Sequence, residues 1–381
     1  MAGRFALDCN LMLCFSAVSL LLLIKYIQSG KLSFLIFCGI SFGITLYSYA
    51  LSYFMVPIFL ILITLYMLYT RKITFPRAIL FAVAVCITAI PVILFACSLL
   101  FQWEPVHFLG FIIPPIASDR MSDISATGFW KNVWDIIKIT LTCGSYAQDA
   151  VDKFYTLYPV SIPFIVLGLL HTIWCFAGSI RKRTFHFGSL YLLFYLSGLI
   201  TIGLSGTHYI YRANSFFICY LYFWVNGIAL ACQFVSTYHK PFIVALSCSY
   251  LLWAASFFNY YFRIYTLADR YPNSLYSAPF NDIVDYAEEN LDYTGLYLDC
   301  LRMSEYYFFY YPAAPSVVEE DGYDNGSHCY YFEVGPDTPI DPSNVYIVRK
   351  ENYEFINNLN ASGLAFETLE YPHYYLFTFQ P

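Results

Sequence analysis

The chain has 381 residues, of which 59% are hydrophobic and only 12% are charged, and its formal net charge is -6. Soluble domains carry about 25% charged residues, so this composition indicates extensive contact with lipid. Residues 1–260 hold 15 Lys/Arg and 7 Asp/Glu, whereas residues 261–381 hold 5 and 19. The acidic polar region excludes nucleic acid as a partner, because a nucleic-acid surface would be basic.

Eight apolar runs in the first 260 residues are long enough to predict transmembrane helices, which need about 20 apolar residues each. They lie near residues 9–28, 33–49, 51–70, 78–101, 158–179, 187–205, 209–235 and 241–259. The second and third runs are separated only by residues 47–50, which predicts a tight helical hairpin. We therefore expect an all-α polytopic membrane domain over residues 1–260, with about eight transmembrane helices and an outer loop at 102–157.

The distribution of Lys and Arg predicts the orientation, because short cytoplasmic loops are enriched in these residues. They collect in alternate loops, at Lys25, Lys31, Arg71, Lys72, Arg77, Arg181, Lys182, Arg183 and Lys240. None of those loops contains an acid, and every Asp and Glu falls on the opposite side. This pattern predicts that residues 261–381 lie on the extracytoplasmic side.

Residues 261–381 are predicted to form a small extracytoplasmic α/β domain, because helix and strand patterns alternate there. The predicted helix 281–289 has Asn281 as a plausible N-cap, and further helical stretches lie near 302–310 and 351–359. The predicted strands are Leu296–Asp299, Tyr330–Val334, Val345–Val348, Ala365–Glu370 and Tyr374–Phe379. The sequence leaves open whether Cys300 and Cys329 form a disulfide.

Charged groups at a membrane boundary are costly unless they are paired, hydrated or used, so they mark candidate sites. The first candidate is the entry to the first span, with Arg4, Asp8 and Asn10. The Asp8 carboxylate can act as a base or help to hold a divalent metal ion. The alternative is that Asp8 or Asn10 caps the helix.

Two further candidates lie in the predicted outer segments. In the loop at 102–157, Arg120 can bind a lipid phosphate through paired hydrogen bonds, or form a plain salt bridge with a neighbouring Asp. Several Trp side chains suggest that part of this loop lies on the membrane surface. Before the seventh span, His208, Arg212 and Asn214 can bind a phosphate at the bilayer surface, although Arg212 can also simply extend to the headgroups.

Several short motifs resemble bacterial membrane glycosyltransferases of the GT-C class, which are similar to protein O-mannosyltransferases and to the aminoarabinose transferase of lipid A. The first motif is the helix entry Arg4-Phe-Ala-Leu-Asp8-Cys-Asn10-Leu. The second is the hairpin Gly43-Ile-Thr-Leu-Tyr47-Ser-Tyr49, followed by Tyr53 and Pro57. The others are Arg120-Met-Ser-Asp-Ile-Ser and Tyr211-Arg212-Ala-Asn214.

The resemblance implies a GT-C-like helical fold in the plasma membrane of a cell envelope. It implies transfer of a sugar from a polyprenyl-phosphate carrier to an extracytoplasmic acceptor, with membrane lipids as partners and a divalent metal ion as a cofactor. On this interpretation Asp8 is the acid of a mid-protein motif, and Arg4, Arg120, His208, Arg212 and Asn214 bind the substrate.

The departure from the family is that its principal acidic motif, in the first outer loop, is lacking here. We therefore expect a chain that lacks N-terminal helices and is inactive alone. It is then a truncated gene product, one fragment of a split enzyme whose partner fragment supplies the missing helices, or an inactive remnant. The alternative is a non-enzymatic polytopic membrane protein, such as a transporter, a flippase component or an assembly factor. Polar groups gathered at one membrane face favour the enzyme, because a transporter would place them at mid-membrane.

Overall fold

The computed structural model describes residues 8–101, 103, 106–113, 128–142, 154–205, 210–263, 278–299, 318–319, 322–324, 329–332, 334–371 and 374–379. Predicted features at Arg4, Arg120, His208, Cys300 and 302–310 lie outside these residues. The chain divides into two compact units, Met1–Asn259 and Tyr260–Pro381.

The first unit, here called the helical unit, consists mainly of apolar helices. Helices satisfy all their backbone hydrogen bonds internally, which an apolar solvent requires. They are α1 Asp8–Ser29, α2 Leu32–Thr45, α3 Ser52–Tyr69, α4 Phe75–Phe101, α5 Phe129–Leu141, α6 Ile162–Lys182, α7 Gly188–Ser205, α8 Phe216–Val235 and α9 His239–Arg263. A short antiparallel pair, β1 Val106–Phe108 and β2 Phe111–Ile113, follows α4.

Six apolar helical stretches in the described part of the chain are long enough to cross a membrane. They are Leu11–Ser29, Ser52–Tyr69, Phe75–Ser98, Pro159–Lys182, Gly188–Ser205 and Phe216–Arg263. Their length and composition are those of membrane-spanning helices, which indicates a membrane protein. The second predicted span is shorter than expected, because α2 has 14 residues and the chain turns from Leu46 to Leu51 before α3 begins.

The last apolar stretch has 48 residues and contains both α8 and α9. A 3₁₀ turn at Ser236–Tyr238 separates the two helices, and Ser236 adopts a positive φ of 41°. The indole nitrogen of Trp224 donates a hydrogen bond of 2.6 Å to the hydroxyl of Tyr250. Since these residues lie at similar distances on either side of the turn, α9 folds back beside α8.

Close packing between α6 and α8 depends on two glycines. A Cβ atom at Gly168 would lie 1.8 Å from the carbonyl oxygen of Phe223, and one at Gly227 would lie 1.9 Å from that of Phe164. Small residues at helix contacts let backbones approach closely, which is how helices associate in lipid.

The second unit is built around a mixed seven-stranded sheet in the order β4-β5-β6-β3-β7-β9-β8. Its strands are β3 Gly295–Leu298, β4 Val318–Glu319, β5 Gly322–Asp324, β6 Cys329–Phe332, β7 Asn344–Arg349, β8 Phe366–Glu370 and β9 Tyr374–Phe379. β3 pairs parallel with β6 and β7, whereas the outer pairings are antiparallel. Each of the five predicted strands is present.

Helices pack on both faces of this sheet, which makes the second unit an α/β structure. They are α10 Ala278–Asn290 and α11 Tyr353–Ala361. Alternate residues of a strand point to opposite faces. Leu296 therefore packs with Ile283 of α10 in one core cluster, and Tyr297 packs with Phe355 of α11 in another.

Candidate functional site

Two of the predicted substrate-binding residues, Arg212 and Asn214, lie where α7 ends and α8 begins. Arg212 belongs to a 3₁₀ segment, Ile210–Ala213, whose Ile210 and Ala213 are buried. Arg212 itself is partly exposed, and Asn214 is buried in the turn before α8. The predicted seventh span started at 209, but α8 begins at Phe216. Both polar residues therefore lie outside the long helix, at the end of the bundle.

The 3₁₀ segment contacts α1, α5 and α7. The following turn also reaches α3, because the Ser215 hydroxyl lies 3.5 Å from the Met55 sulfur. The structure therefore brings the Arg212 segment against α1, the helix whose first residue is Asp8. The Arg212 segment and α1 are about 200 residues apart in sequence, and they are in contact within the helical unit.

The predicted α2–α3 hairpin uses its hydroxyl groups to close its own turn. Ser48 donates to the carbonyl of Thr45 at 2.6 Å, and Ser52 donates to those of Leu46 and Tyr49 at 3.1 and 2.5 Å. The last carbonyls of a helix have no partner within it, and burial without one is costly. These side chains therefore stabilise the hairpin, and this accounts for the serines without any contact to a substrate.

The amphipathic helix α5 lies across the same end of the bundle. On its buried face, Asn132 donates to the carbonyl of Gly203 at 3.0 Å, and the Thr140 hydroxyl lies 2.9 Å from that of Tyr220. On its exposed face, Trp130 and Trp134 are 79% and 66% exposed. Trp side chains favour the headgroup layer, so this arrangement suits a helix lying in the membrane interface.

A polar cluster between α6 and α8 was missed in the sequence. The amide nitrogen of Asn226 lies 3.2 Å from His171 Nδ1 and 3.1 Å from the Thr172 hydroxyl, and His171 Nε2 lies 3.4 Å from the Cys175 sulfur. The signal was available, since His and Asn interrupt two apolar runs and such residues mark candidate sites.

A divalent metal ion was expected from the resemblance. Among the described residues, no group of three or more His, Cys, Asp or Glu side chains is arranged to hold one. We therefore derive no chemical step through a metal.

No protein-family model, curated protein or solved structure matches the chain. The resemblance to GT-C glycosyltransferases therefore rests on the quoted sequence motifs alone.

Proposed function

We propose that this chain is a membrane glycosyltransferase that moves a sugar from a polyprenyl-phosphate carrier to an acceptor at the end of the helical unit that bears Arg212. The observation that carries the proposal is the placement of Arg212 in a 3₁₀ segment packed against α1, α5 and α7, with Asn214 buried in the turn that follows. Beside it, α5 presents two exposed Trp side chains, so the site lies where a lipid headgroup would be.

The chemistry follows from where a carrier lipid places its phosphate. Arg212 binds two phosphate oxygens through paired hydrogen bonds, which a guanidinium does better than an ammonium group. The bond between the sugar C1 and the phosphate oxygen breaks as the acceptor oxygen bonds to C1. A general base takes the proton of the acceptor hydroxyl, and Asp8 at the start of α1 is the candidate in this chain. The carrier leaves as polyprenyl phosphate.

In this proposal the helical unit crosses the membrane eight times, through α1–α4 and α6–α9. The 48-residue apolar stretch supplies two passes, because α9 folds back beside α8. The bias of Lys and Arg toward alternate loops puts the Arg212 end and the second unit on the extracytoplasmic side of a plasma membrane.

A second candidate function is transport, and one observation favours it. The cluster of His171, Thr172, Cys175 and Asn226 lies near the middle of α6 and α8. Polar residues at mid-membrane are typical of substrate or proton pathways. Substitution of His171 by Ala separates the two functions, because it should abolish transport and leave carrier binding at Arg212 unchanged.

The experiment that tests the glycosyltransferase measures binding of a polyprenyl phosphate to the purified chain in neutral-lipid nanodiscs. A hydrogen bond to a charged group contributes about 1.5–3 kcal/mol, so Arg212→Ala should weaken binding roughly 10- to 150-fold. Arg212→Lys should lose only part of this affinity, because the lysine keeps the positive charge but cannot form the paired hydrogen bonds. Lys240→Ala, an exposed cation at the start of α9, is the control. Equal binding by Arg212→Ala and the control would overturn the proposal.

A further inference from the structure

Five cations from two distant loops are held together at the other end of the helical unit. Arg71 and Lys72 follow α3, and Arg181, Lys182 and Arg183 end α6, and all five are exposed. This set is called the basic end. Helix α7 has 18 residues, begins near Arg183 and ends before Arg212. About 27 Å of helix therefore separates the basic end from the site proposed above.

Hydrogen bonds from the end of α3 fix the two loops side by side. The Tyr66 hydroxyl lies 2.8 Å from that of Ser179 and accepts from the backbone nitrogen of His186 at 3.0 Å. The Tyr69 hydroxyl donates to the carbonyl of Ile180 at 3.1 Å, and the guanidinium of Arg183 lies 5.4 Å from the centre of the Tyr69 ring. The cations are therefore brought together by tertiary contacts across more than 100 residues.

The backbone in both loops is held in an uncommon conformation at a cation. Arg71 has φ of 56° and Arg183 has φ of 51°, values that favour glycine. The loops are nevertheless closed by backbone bonds, from Lys72 to Met67 at 2.8 Å and from Thr184 to Ser179 at 3.0 Å. The positions of the cations are therefore set by ordered turns.

Helices α2–α4 and α6–α9 offer these cations no carboxylate. Residues 9–103 and 153–268 contain no Asp or Glu, and they include all of α2–α4 and α6–α9. Each helix C-terminus carries roughly half a negative charge and each N-terminus half a positive charge. α3 and α6 end here while α4 and α7 begin here, so these contributions cancel and a charge of about +5 remains.

We propose that the basic end binds the phosphate of an anionic phospholipid in the membrane leaflet that it faces. Charge complementarity selects an anion, and the surroundings select a lipid over a free phosphate. Large apolar side chains are exposed beside the cations, with Leu65 60%, Phe75 68% and Phe187 42% exposed. Acyl chains can pack on these side chains while the headgroup contacts the cations. Clusters of four to eight Lys/Arg next to membrane helices bind anionic lipids in this way.

The test is a lipid titration of the purified full chain, followed by native mass spectrometry, with tetraoleoyl cardiolipin as the probe and dioleoyl phosphatidylcholine as the neutral lipid. Each cation near the surface is worth roughly a fivefold change in affinity. We expect R71Q/R183Q to weaken cardiolipin binding about thirtyfold and to leave phosphatidylcholine unchanged. R71K/R183K keeps both charges and should bind cardiolipin within about threefold of the native chain.

The matched control is K131Q/K138Q, which removes two exposed charges from α5 at the opposite end. An equal loss in this control, or unchanged binding in R71Q/R183Q, would overturn the proposal. Displacement of cardiolipin by millimolar inorganic phosphate would also overturn it, in favour of a free-phosphate site. If the native chain is a dimer and R71Q/R183Q is a monomer, the basic end binds a second copy of the chain, and the lipid proposal is overturned. The Arg212→Ala experiment concerns the opposite end of the helical unit and measures binding of a polyprenyl phosphate. Either proposal can therefore fail while the other holds.

Discussion

The contact between α6 and α8 gives a sharp stability prediction. Gly168→Ala would place a methyl carbon 1.8 Å from the carbonyl oxygen of Phe223. The neighbouring atom belongs to the backbone, so no change of rotamer relieves the overlap. The two helices must move apart.

The size of the effect follows from the distance. Moving from 1.8 Å to the ordinary contact of 3.4 Å needs a separation of about 1.6 Å. A gap of about 0.5–1 Å already forfeits a quarter to a half of a dispersion contact. Asn226 would also lose its bond to Thr172 across the interface. Overpacking of this kind costs about 3 kcal/mol, and Ala gains about 1 kcal/mol over Gly in helix propensity. We expect a net loss of about 2 kcal/mol.

The assay is equilibrium unfolding of the purified chain in mixed micelles, followed by far-UV circular dichroism as a denaturing detergent is titrated. Gly178→Ala is the matched control, because Gly178 lies on the same helix and a Cβ there has nothing within 4 Å. This control keeps the gain in helix propensity and should be neutral or slightly more stable. If Gly168→Ala is as stable as Gly178→Ala, α6 and α8 do not approach as described.

Two further predictions concern charged and titratable groups. Asp299→Asn should destabilise the second unit by about 3 kcal/mol, because it leaves the Arg349 guanidinium beside a neutral amide. Glu370→Gln removes a charge from an exposed pair and should cost less than about 1 kcal/mol. Hydrogen exchange of β3 and β7 in the full chain measures both losses, and equal losses would contradict the prediction. Burial, and then the neighbouring His171, lower the pKa of His186 below its ordinary 6.5. The unfolded chain therefore binds more protons than the folded chain, so stability should fall as the pH drops below 6.5. In a series of thermal-unfolding measurements, His186→Gln should weaken this dependence of stability on pH. An unchanged dependence in the variant would contradict the prediction.

Much of the local structure followed from the sequence. Apolar runs predicted the helices because lipid requires internally satisfied backbones, and the change to alternating patterns after residue 260 predicted the strands of the second unit. The boundaries were less well predicted. Hydropathy extended the second and seventh runs through residues 46–49 and 210–215, which form turns and a 3₁₀ segment. Apolar turn residues look like helix when only composition is considered.

Part of the candidate site was also visible, because charged residues beside apolar runs are conspicuous. Arg212 was found in that way. The polar cluster of His171 and Asn226 was not, since each lies alone in its own run and hydrogen bonds across the helix interface make them a pair.

The sequence by itself determined the apolar helices, the acidic α/β unit and the alternation of cationic loops, because each depends on residues close together in the chain. Only the tertiary structure decided which distant segments meet. It places the Arg212 segment against α1, folds α9 back on α8, and gathers Arg71 and Arg183 into one basic end. The physical reason is that these contacts depend on side-chain packing and hydrogen bonds between segments, as at Gly168 and Tyr66, and local periodicity carries no record of them.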